Sequence, residues 1–164
     1  MNYKLSEKEI EMVLRSDVDA RVRYFVHKTA AWEYLWLMYD DRGNLITVYD
    51  ATNRECIPVW PFKEYADMFF NDFEEKKLVK KMKVHDFLCE YIDKLIEKNI
   101  YVFVFPDMES RGALVKADIF QYMMEDELAK YGDYDDESYI SKNGIWKPDP
   151  IAKNLINGKF VKNS

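Results

Sequence analysis

Two cysteines, two histidines, five glycines and five prolines in 164 residues leave little room for several common chemistries. Cys56 and Cys89 are too few to staple a secreted scaffold, and they are expected as reduced thiols in a cytoplasmic protein. A structural zinc site would need His27, Cys56, His85 and Cys89 together, and no two of them share the spacing of paired zinc ligands. The isolated glycines offer neither a phosphate-cradling loop nor a dinucleotide fingerprint. The longest uninterrupted apolar run, Ile100–Pro106, is far short of a membrane span. The opening MNYKLSEKEIEM carries charges where a signal peptide has its apolar stretch.

Acids outnumber bases by 30 to 24. A net charge of −6 gives no electrostatic reason to seek nucleic acid or anionic lipid, because phosphate binding needs clustered cations. G-x-S-x-G is absent, and the serines fall in caps, turns or the tail. The acidic DYDDES (133–138) has Ser138 where a calcium loop needs glycine and Gly144 where it needs the bidentate glutamate. No catalytic residue, metal ligand or cofactor is assigned on these grounds.

What remains is rich in core material: 48% of all residues are hydrophobic and 16% of all residues are aromatic, which argues against disorder throughout. Ser6 and Glu9 have capping-box spacing, with Leu5 and Ile10 as a hydrophobic staple, predicting a short helix over 7–14. Asp17 or Asp19 caps a second helix whose face carries Val22, Phe25, Val26 and Thr29. The period then changes to two. EYLWLMYD (33–40), LITVYD (45–50) and CIPVW (56–60) read as three strands of an antiparallel meander, with Gly43 supplying a positive-φ turn. Pro58 cannot donate to a ladder, which predicts an edge or a bulge there.

Phe62, Tyr65, Ala66, Phe69 and Phe73 then make a helical stripe, and residues 76–84 a short strand or irregular edge. Residues 85–99 are the clearest helix, with Leu88, Ile92, Leu95 and Ile96 facing inward. IYVFVF (100–105) is an all-apolar central strand, GALV another strand, and 117–131 a last helix. The fold class is α+β: an antiparallel sheet packed against several helices. Residues 1–131 form the single domain, and 132–164 a C-terminal extension with an acidic loop, a basic end and one short helix.

Charge distribution singles out one candidate surface. From Asp107 to Glu137 there are ten acids against three bases. Glu125, Asp126, Asp133, Asp135, Asp136 and Glu137 form the candidate contact surface for a basic partner, since single-signed surfaces speed encounter. The bland alternative is a solvated helix face whose acidic loop the basic tail neutralises. The lysines at 76, 77, 80, 81 and 83 read as edge protection rather than an anion site. His85 and Cys89, four apart, are placed to meet on one helical face, where packing at the core's margin is the competing role. Trp36, Trp60 and Tyr65 are the candidates for an aromatic pocket, although plugging the core is the commoner role of such rings and is the one favoured for Trp60.

The same aromatic positions carry a family likeness. Phe25, Ala31-Trp32, Trp36, Ile57-Pro58-Val59-Trp60-Pro61, Tyr65-Ala66, Asp86-Phe87-Leu88 and Val104-Phe105-Pro106 resemble a bacterial family of small proteins, domain of unknown function 2750. The resemblance covers about residues 6–131 and implies a single α+β domain, with no activity, cofactor or catalytic residue attached. The tail beyond Gly132 departs from it. The expectation is a cytoplasmic, non-enzymatic protein that binds another protein, rather than nucleic acid or membrane, in the manner of an immunity-type inhibitor. A small-ligand or peptide-binding domain using the aromatic pocket is the alternative.

Overall fold

The computed structural model describes residues 5–70, 78–130 and the backbone of 156–159. Helix α1 (Glu7–Arg15) opens at Ser6, whose hydroxyl accepts the Glu9 N–H at 3.1 Å, and Leu5 and Ile10 both rest on the core. Asp17 caps α2 (Val18–Trp32) by accepting the Ala20 N–H at 2.8 Å. The predicted face of α2 is the buried one, Val22, Phe25, Val26 and Thr29. Glu33 ends the helix in the left-handed region and sends the chain into the sheet.

The sheet is mixed. Strands β1 (Tyr34–Tyr39), β3 (Glu55–Trp60), β4 (Leu78–Lys83), β5 (Tyr101–Val104), β6 (Arg111–Val115) and β7 (Ile156–Lys159) lie in the order β4-β1-β3-β5-β6-β7. The short β2 (Val48–Tyr49) pairs only with β3. Every pairing is antiparallel except β3 with β5. The chain makes that parallel return through α3 (Lys63–Phe70), β4 at the far edge, and a composite helix over 84–97. The α+β class therefore holds. The four described residues of the extension form a strand on β6; its other residues, where a short helix was expected, lie outside the described residues.

The meander is only partly realised. Its second and third strands pair, and its first and second meet at the Tyr39–Leu45 bridge, but further along β1 pairs directly with β3, Trp36 opposite Trp60 and Leu37 opposite Val59. The segment after β1 is drawn into a turn by Asp40, which accepts the Arg42 and Asn44 N–H groups at 2.9 Å each. Gly43 takes φ +85° there, as expected.

Pro58 does not mark an edge. It lies in the middle of the sheet, opposite Phe103 of β5. Val59 O accepts the Phe105 N–H at 2.8 Å, so strand alternation turns the Pro58 nitrogen toward β1. A regular ladder would ask Met38 O to accept from residue 58. Met38 O instead accepts the Ile46 N–H at 2.9 Å, so the missing donor leaves no orphan.

The predicted helix over 85–99 is α4 (Val84–Asp86), a π turn (Phe87–Tyr91) and α5 (Ile92–Glu97) in series. Leu88, Ile92 and Leu95 are buried as expected, but Ile96 is 44% exposed. It sits about 100° round the helix from Leu95, at the rim of the stripe. Phe87 takes the inward place instead. β5 is the central strand, with Val102, Phe103 and Val104 buried on alternating faces. Phe25 of α2, Phe87 and Phe120 of α6 (Ala117–Ala129) join the helices on one side, with ring centroids 5.7–6.0 Å apart. Trp60 and Phe69 join β3 to α3, centroids 5.2 Å apart.

Candidate functional site

Helix α6 is amphipathic in a way that selects a surface. Phe120, Met123, Met124 and Leu128 are buried. Asp118, Tyr122, Glu125 and Asp126 recur at spacings of four, three and one, so they fall on the opposite face. Tyr122 is 42% exposed, and Glu125 and Asp126 are partly so. Gln121 Nε2 donates to Glu125 at 3.1 Å. Burial holds the Asp126 carboxyl above the usual carboxylate range; Lys130 pulls it down and Glu127 pushes it up again. Glu127 itself leaves this face and meets His27 of α2 at 3.5 Å. Of the six acids expected to act together, Glu125 and Asp126 share this face; Asp133, Asp135, Asp136 and Glu137 lie outside the described residues.

The three aromatics expected to wall a pocket have different fates. Cross-strand register puts Trp36 and Trp60 side by side on one face of the sheet. Trp60 is fully buried, and its indole N–H donates to Pro106 O at 2.9 Å. Tyr65 is 2% exposed and packs at a tilt against Phe105, centroids 4.6 Å apart. Of the three, only Trp36 keeps solvent-facing surface. Trp60 is a core plug.

β4 is an edge strand, as the lysines implied. Lys80 and Lys81 reach back over Tyr39 and Tyr34 at 5.6 and 4.4 Å from the ring centres. The expected lysines 76 and 77 lie outside the described residues.

Two features had no sequence signal. The first is Arg21, whose side chain is 4% exposed. Its guanidinium donates to Phe105 O at 3.4 Å and Arg111 O at 3.1 Å and lies 3.3 Å from Asp107. It also sits over the Phe105 ring at 5.7 Å. Burial lowers its pKa, while Asp107 works the other way. Arg21 stands beside Val22 in an ordinary helical stretch, and only the arrival of the β5–β6 turn explains its burial. The second is Asp118 and Tyr122, which complete the α6 face; the helical period was legible, but not which side of it stays bare.

Among the described residues no group of three His, Cys, Asp or Glu side chains is placed to hold a metal ion. No helix there is long and apolar enough to cross a membrane.

A family profile, described as protein of unknown function (DUF2750), matches residues 22–124. The chain belongs to that family. The DUF2750 core thus runs from Val22 on α2 to Met124 on α6, and takes in the Trp36–Trp60 pair, β3 to β6 and Asp118 and Tyr122 of the α6 face, but not Glu125 or Asp126. β7 falls outside it. No curated protein and no solved structure matches the chain.

Proposed function

We propose that this DUF2750 chain is a cytoplasmic, non-enzymatic binding domain that takes a basic protein partner on the outward face of α6. The observation that carries the reading is the outward face of α6, where Asp118, Glu125 and Asp126 share one side of the helix with the exposed Tyr122. Burial raises the Asp126 pKa, in keeping with a carboxylate whose charge a cationic partner would favour. Tyrosine is a common interface anchor, and acids around it steer a cationic partner and suppress wrong ones. The acidic 133–137 stretch extends the same sign of charge along the chain. Small acidic α+β domains of this kind resemble the immunity proteins with which bacteria neutralise toxins, and that partner class is the one favoured by analogy of fold and charge.

The test is native mass spectrometry of tag-free protein isolated at low salt from its own host, beside a variant carrying D118N, Y122A, E125Q and D126N. The expected result is a basic polypeptide bound to the parent, released as salt rises, and missing from the variant while its circular dichroism is unchanged. A partner held equally by the variant, or insensitive to salt, would overturn the reading.

A further inference from the structure

The composite helix over 84–97 carries a feature that protein binding on α6 does not use. His85 and Cys89 are both exposed, and the Cys89 sulfur lies 3.6 Å from His85 Nε2. The π turn that holds Cys89 keeps Phe87 and Leu88 buried while Cys89 and Glu90 face out. Such turns inside α-helices recur at functional positions. His85 also borders a cleft of about 340 Å³, where Glu33 from the end of α2, Tyr34 from β1, Lys83 from β4 and Asp86 from its own helix surround it.

We propose that Cys89 is an S-thiolation site, with His85 as the base that activates it and a low-molecular-weight disulfide as the reagent. The Cys89 proton passes to His85 Nε2. The thiolate then attacks one sulfur of the small disulfide, a new sulfur–sulfur bond forms as the old one breaks, and the departing thiolate takes up a proton from solvent or from His85. Cys89 is oxidised to the mixed disulfide, and half of the reagent is reduced to free thiol. Thiol–disulfide exchange needs an accessible sulfur and a route for its proton, and the exposed Cys89 has both, with His85 Nε2 3.6 Å away. Cys56 is an internal contrast: it is buried in β3, and burial pushes its thiol up to about 12.

The experiment is incubation of the full chain with glutathione disulfide across pH 5.5 to 9, with peptide mapping to separate Cys89 from Cys56. Cys89 should be modified several-fold faster near pH 7 than in H85Q or H85N, whose rate should climb only toward pH 8.5, as for an unassisted thiol. Circular dichroism checks that both variants are folded, and C89S should take up no glutathione. Equal rates and profiles in parent and His85 variants, or modification of Cys56 in preference to Cys89, would overturn the proposal.

Discussion

The Trp60 indole N–H donates to the carbonyl of Pro106, 46 residues further along the chain, at 2.9 Å and in a site closed to solvent. One side chain thereby ties the end of β3 to the start of the β5–β6 turn. Pro61 follows the last residue of the strand, and the ring packs on Phe69 of α3, which seats that helix on the sheet.

Trp60→Phe should therefore remove volume and leave a buried carbonyl without its donor. The combined loss is expected at about 2–4 kcal/mol. Urea unfolding followed by far-UV circular dichroism would read it as a fall in midpoint at unchanged slope. A loss under about 0.5 kcal/mol would mean that the bond and the packing contribute nothing.

Arg21 and Asp107 should be strongly coupled. Removing either leaves the other charge buried and also disturbs the turn, since Asp107 accepts the Glu109 and Arg111 N–H groups at 2.9 and 3.0 Å. Arg21→Met alone should destabilise by about 3–5 kcal/mol. Arg21→Lys should recover little, because a point ammonium cannot reach two carbonyls and a carboxylate at once. A double-mutant cycle with Asp107→Asn gives the interaction directly, and strict additivity would refute the coupling.

Gly112 is required for space. A Cβ there would sit 2.8 Å from Val104 O and 2.9 Å from Phe103 Cε1, both parts of the neighbouring strand. Gly112→Ala should lower stability by about 1–3 kcal/mol through overpacking, measurable as a depressed thermal midpoint. An unchanged midpoint would mean that the β5–β6 hairpin opens without penalty.

Asp50 sets part of the acid limb. Burial acts to raise its pKa, but the Arg54 N–H at 2.7 Å, the Arg54 guanidinium and the Thr52 hydroxyl outweigh it and hold the carboxyl below its ordinary value. A depressed folded pKa means that its stabilisation is present above the unfolded value near 4 and lost as pH falls through the lower folded one. Stability curves for Asp50→Asn and parent should converge below about pH 4 and separate above it. Parallel curves throughout that range would contradict the assignment.

Much of the fold could be read from local chemistry. Ser6 and Asp17 start helices because their oxygens reach the N–H groups that a first turn leaves unpaired, and that depends on three or four residues. The face of α2, the central β5 and the lysine-lined edge follow from period and composition, which also act over short range. The family likeness at Ile57–Pro61 and Val104–Pro106 was equally visible, since it needs only adjacent residues.

Tertiary structure decided the rest, and in each case long-range contacts were the reason. Pro58 avoids the edge because Ile46, twelve residues earlier, supplies the N–H that Met38 would lack. Trp36 and Trp60 became neighbours because β2 was too short to part β1 from β3. Arg21 is buried because a turn 84 to 90 residues away brings two carbonyls and a carboxylate to it. Which acids of α6 remain outward was settled by the helices packed against its other side. Local sequence fixes propensity and periodicity; pairing, burial and the identity of an exposed face depend on partners that sequence distance conceals.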